Sequence, residues 1–88
     1  MDMNVSVKLA KELDVTDLSG EKVMVDFESG KYFLIKGVGN DIWDLIQQEI
    51  TVGDIVSKLL AEYEVEEEEC KTSVIEFLQK LRKSGLIQ

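Results

Sequence analysis

The sequence predicts an α+β domain in two segregated halves, three strands followed by three helices. Two observations predict it. Up to Gly39, apolar and polar residues alternate with a period of two, as in "KVMVDFE", where Val23, Val25 and Phe27 alternate with Met24, Asp26 and Glu28. After Gly39 the apolar residues recur at three- and four-residue spacing, as in "TVGDIVSKLLAEY". The chain has 88 residues, which fits one domain spanning residues 1–88.

The first strand is expected at "VSVKL", where Val5, Val7 and Leu9 alternate, and "AKELDVTDLSGE" reads as a polar connector to the second strand. "KYFLIK" is the third strand, joined to the second by a hairpin at Glu28-Ser29-Gly30. A three-residue loop with a glycine bulge puts Phe33 and Ile35 on the face of Val23, Val25 and Phe27. A two-residue loop on Ser29-Gly30 puts Tyr32 and Leu34 there instead, because a one-residue slip exchanges the faces. Glu-Ser-Gly suits the bulge, a type I turn followed by a left-handed glycine.

The first helix carries Ile42, Leu45 and Ile46 on one face, with Asn40 as its cap and Trp43 as a core residue. In the second, Thr51 and Asp54 resemble a capping box, and Val52, Ile55, Val56, Leu59, Leu60 and Tyr63 form the apolar face. The third runs from about Glu66 to Ser84 and ends on Gly85 as a left-handed cap, so that Leu86 and Ile87 fold back onto the core. Its core stripe is Cys70, Val74, Phe77, Leu78 and Leu81, with Lys71, Ile75 and Arg82 lying together beside it. Ile75 is either a margin of the core or one lip of a groove whose two cations meet an acidic peptide.

Composition excludes several functions. The chain has one cysteine and no histidine, so an internal disulfide and a Cys/His zinc site are ruled out. No apolar run approaches the roughly 18 residues that span a bilayer. The net charge of −8 opposes the phosphate attraction on which nucleic-acid binders rely, and it disfavours anionic membranes. A cytoplasmic monomer with a reduced Cys70 is expected. The acid run Glu66 to Glu69 complements the positive end of the third helix. Placed at the start of a recognition helix in a winged helix-turn-helix, it would repel DNA. Trp43, Tyr32 and Phe33 as a base-stacking platform are opposed by the same charge. Cys70 lacks an activating histidine, and Ser57, Thr72 and Ser73 lack a base partner, so no catalytic residue, metal ligand or cofactor site is expected.

If the first strand pairs beside the second, "KYFLIK" is an edge, apolar between Lys31 and Lys36, and an extended peptide can add to it as a further strand. At these residues the chain resembles a known family. "GKYFLI", the "IW" and "LI" of the first helix, "TVGDIVSKLLAEYEVEEEE" and "VIEFLQKLRKSGLIQ" resemble the PqqD-like family, the leader-peptide recognition domains of ribosomally made, modified peptides. The chain departs from the family at Lys36, where asparagine is frequent, and at Val38, where a capping Thr or Ser is. The turn into the first helix is therefore expected to be built differently. The resemblance implies a winged helix-turn-helix with a three-stranded antiparallel sheet. It implies a non-enzymatic role, holding a precursor's leader segment for a partner enzyme, either a radical SAM maturase or a leader peptidase of lasso-peptide synthesis. Carried onto this chain, the site is Lys31, Tyr32, Phe33, Leu34, Ile35 and Lys36 with the flank of Lys71, Ile75, Leu78 and Arg82. The competing readings are an acidic winged-helix adaptor for some other protein and a DNA-binding regulator.

Overall fold

The structure, a computed structural model, describes residues 2–10 and 14–87. The elements are β1 (Ser6–Val7), β2 (Asp14–Leu18), β3 (Glu21–Asp26), β4 (Lys31–Lys36), α1 (Val38–Leu45), β5 (Ile50–Thr51), α2 (Val52–Glu62) and α3 (Glu67–Lys83). Strands β2, β3 and β4 form an antiparallel sheet in that order, and β1 pairs with β5 in a separate two-stranded ribbon. The α+β class and a three-stranded sheet followed by three helices are as expected, and the arrangement accords with a winged helix-turn-helix.

The first strand of the sheet, however, is not "VSVKL". It is "DVTDL", drawn from the expected polar connector, whose residues 11–13 lie outside the described residues. Leu18 pairs with Glu21, so Ser19-Gly20 is a two-residue hairpin turn with φ values of 48° and 93°. Two positive φ angles match the twist of the flanking strands, which a two-residue hairpin requires. The segment reads as polar because it is a sheet edge whose outward side chains meet water. Val15 alone of its apolar residues pairs inward, opposite Met24.

Residues 2–10 close the other end of the molecule. The carbonyls of Val5 and Met3 accept from the N–H groups of Val52 and Gly53, each at 2.9 Å. These are first-turn donors of α2 with no intrahelical partner. Leu9 bridges Ile87, and the Ala10 N–H donates to the Leu86 carbonyl at 2.8 Å.

The β3–β4 hairpin also departs from expectation. Asp26 pairs with Lys31 across a four-residue loop, Phe27 to Gly30. Its even length gives the face assignment of the two-residue alternative, with Tyr32 beside Val25 and Leu34 beside Val23. Those four face outward. The inward set is Lys22, Met24, Asp26, Phe33 and Ile35, with Met24 fully buried, while Phe27 is 76% exposed in the loop. Asp26, though buried, suits this place: its carboxylate accepts from the Glu28 N–H at 3.1 Å, and its carbonyl from Gly30 at 2.8 Å. This local bonding fixes the loop before strand propensity can choose a register.

Helix α1 starts after Gly37, which has φ 63° and offers no side-chain cap, so the cap expected at Asn40 is not formed. Asn40 is therefore inside the helix. Its amide donates to the Gly20 carbonyl of the β2–β3 turn, and its oxygen accepts from Lys22 Nζ at 3.3 Å. Lys22, almost enclosed on the inner face, also meets Asp17 at 3.6 Å and Asp44 at 3.4 Å. A lysine enclosed this way requires such partners. Asn40→Ala should lower stability by about 1 kcal/mol, measured by urea unfolding, because it removes one bond to a backbone group and one to a cation.

The bounds of the second and third helices match the sequence reading, but Tyr63 is the exposed C-cap of α2 rather than part of its apolar face, and Phe77 is half-buried rather than core. Thr51 accepts from the Asp54 N–H at 3.1 Å as the N-cap of α2. Helix α3 ends in paired bonds, Leu86 N–H to the Leu81 carbonyl at 2.9 Å and Gly85 N–H to Arg82 at 3.0 Å, the Schellman pattern. Leu86 and Ile87 are thereby turned into a core that also holds Ile35, Ile42, Trp43, Ile46, Val56, Leu59, Val74, Leu78 and Leu81.

Candidate functional site: the free edge of the sheet and the flank of α3

Strand β4 is hydrogen-bonded to β3 on one side, and among the described residues no strand pairs with the other. The edge is apolar between its terminal lysines, both exposed; Tyr32 is 77% and Leu34 56% exposed. Phe33 is half-buried, and Ile35 is buried against the core. An unpaired, well-formed strand of this kind presents main-chain donors and acceptors in register for an added strand. Its lysines do not cover the middle of it.

Helix α3 comes near this strand at Phe77. A Cβ placed on Gly39 would lie 3.0 Å from Ile35 Cγ2 and 3.1 Å from Phe77 Cε2, so β4, α1 and α3 converge at that point. Successive helical residues turn by about 100°, which places Ser73 within about 40° of Phe77 and Lys80 within about 60°. Lys71, Ile75 and Arg82 point about 120–160° away from Phe77 by the same geometry. Lys71, Ile75 and Arg82 thus lie together on the margin of α3 away from Phe77. Leu78 is fully buried and has no surface to offer a peptide. Ile75 is half-buried and packed at the margin of the core.

Sequence reasoning counted Phe77 as core and gave Gly39 no role. A glycine inside the first turn of a helix was the available signal, because that residue weakens a helix unless something must approach closely.

Near the start of α1, a cavity of about 160 Å³ is lined by Val38, Leu59, Tyr63, Val65, Glu69, Cys70 and Ser73. Burial pushes the Cys70 thiol up, away from the reactive thiolate. The Tyr63 hydroxyl donates to the Asp41 carboxylate, and this bond, with burial second, raises its pKa. Glu66 to Glu69 are exposed at the start of α3, where they complement the helix dipole. Among the described residues no three His, Cys, Asp or Glu side chains are placed to hold a metal ion, and no helix is long and apolar enough to cross a membrane. The chemistry these surfaces offer is main-chain pairing and apolar contact.

An open strand edge can accept an extended peptide as an added strand. The family model of coenzyme PQQ synthesis protein D (PqqD) matches residues 21–87, and the chain belongs to that family. The expected resemblance is thus borne out. The match begins at β3, so β1 and β2 lie outside it. Two solved structures share the fold. TbiB1 in complex with the TbiA(β) leader peptide is 26% identical, with a TM-score of 0.82 over 92% of this chain and 94% of that one. A lasso peptide synthetase B1 complexed with its leader peptide is 22% identical, with a TM-score of 0.80 over 93% and 96%. No curated protein matches the chain.

Proposed function

We propose that this chain binds the leader segment of a ribosomally made precursor peptide as a fourth strand on β4 and holds it for a partner maturation enzyme. The free edge of β4 is the observation that carries this reading. The likeness to TbiB1, a chain of nearly the same extent whose structure holds a leader peptide, supports it. The domain itself performs no chemistry in this reading; it supplies proximity to an enzyme that cuts or modifies the rest of the precursor. The leader lies between Lys31–Lys36 and the Ser73–Phe77 flank of α3, in place of the Lys71, Ile75, Leu78 and Arg82 flank.

The test is a calorimetric titration with a synthetic peptide of about 20 residues, enough for one strand with flanks, from the leader of the precursor encoded beside this chain. A dissociation constant near micromolar is expected, about 8 kcal/mol. Two or three apolar anchors supply about 1.5–3 kcal/mol each, and main-chain pairing must supply the rest and offset the ordering of a free peptide. Hydrogen exchange at saturating peptide should slow at β4 and leave β2, the opposite edge, unchanged. No heat at hundred-micromolar protein, or protection confined to β2, would reject the proposal.

A further inference from the structure

We infer that Gly39 is a positioning residue for peptide capture: by lacking a side chain it lets Ile35 of β4 and the Phe77 ring of α3 close on the same point of α1, and this three-way packing sets the spacing between β4 and α3. The inference rests on the preceding reading that a peptide occupies the space beside β4. Gly39 carries no unusual φ, so no turn requires a glycine there. It sits inside α1, where glycine is among the least favourable residues. What the position requires is space. A Cβ would meet Ile35 Cγ2 at 3.0 Å on one side and the Phe77 ring at 3.1 and 3.5 Å on the other.

Ile35 is the last inward side chain of β4 and is buried, so it has little room to retreat. Phe77 is half-buried and is the side of this contact that can yield. An added methyl therefore displaces the ring, and with it the surface of α3 that faces the strand edge. Added strands tolerate little change in that spacing, because the peptide backbone must pair with β4 while its side chains still reach the helix.

The experiment uses the full chain, the synthetic leader peptide already described, and a double-mutant cycle of Gly39→Ala and Phe77→Leu. Gly39→Ala should weaken leader binding about tenfold, the size of a modest overpacking penalty. Its melting temperature should fall by no more than a few degrees, because alanine's helix preference offsets the crowding. In the Phe77→Leu background, whose smaller side chain leaves room, the same substitution should change affinity less than threefold, a non-additivity expected only of residues in contact. In the free protein, the NMR cross-peak between the Ile35 methyl and the Phe77 ring should shift or vanish in Gly39→Ala. That last reading needs no leader. A parent chain that binds leader alongside a Gly39→Ala variant that binds equally well overturns this inference alone. Additive losses in the cycle also overturn it, showing Gly39 to act only through general packing. A parent that takes up no leader defeats the functional proposal, and this inference with it, whatever the cross-peak does.

Discussion

Leu78→Ala should lower the unfolding free energy by about 2–5 kcal/mol, the range for emptying a fully enclosed leucine site. Leu78 is 0% exposed in the middle of α3, within a cluster that includes Val74, Leu81, Ile55 and Leu59. Small domains are stable by about 5–15 kcal/mol, so one such cavity removes a large share of the total. The measurement is a urea titration followed by tryptophan fluorescence, since Trp43 is buried in the same core. A drop in the midpoint without a change in slope is the expected signature. Leader affinity, measured where the variant remains folded, should stay within about twofold, below the roughly 1.4 kcal/mol that marks a tenfold change. A variant that keeps its stability and loses leader binding would return Leu78 to the binding surface.

The second large effect is expected at the rim of the groove. Phe77→Ala should weaken leader binding about 30-fold or more, by removing an apolar anchor worth about 2 kcal/mol and the ring that spaces α3 from β4. Ile75→Ala should change binding by less than about threefold, under 1 kcal/mol, because Ile75 points to the other flank of α3. Both residues are half-buried, so both variants should lose some stability, and the binding difference is what separates them. Titrations of the two, corrected for folded fraction from melting curves, decide between the flanks. If Ile75→Ala abolishes binding and Phe77→Ala does not, the peptide runs on the Lys71–Arg82 side.

The choice of flank shows why the site was only half legible. A helical wheel finds the apolar stripe of α3 from spacing alone, and Cys70, Val74, Leu78 and Leu81 are buried as it predicts. A wheel has two margins, though, and nothing local tells which margin a distant strand will approach. Lys71, Ile75 and Arg82 looked more like a binding lip because they mix an apolar residue with cations. The other margin carries Ser73 and Phe77, and the phenylalanine was absorbed into the core stripe. The meeting of Ile35, Gly39 and Phe77, brought together from different elements, is visible only in the folded chain, and the proposal of the Phe77 flank rests on it.

The strands divide in the same way. "KYFLIK" was recognisable as a strand, and its role as an edge followed once the first strand paired beside the second. The partner that makes it so, "DVTDL", reads as a connector because an edge strand wet on one face lacks the apolar density that marks buried strands. Its turn, Ser19-Gly20, was a visible signal that the stronger alternation of "VSVKL" outweighed.

Local chemistry was sufficient for the caps at Thr51 and Gly85 and the extents of α2 and α3, because those depend on interactions within a turn or two. Strand pairing and the inward face of the hairpin emerged only on folding. Each depends on which distant segments close on one another, and a one-residue slip reverses the outcome while leaving the local pattern unchanged.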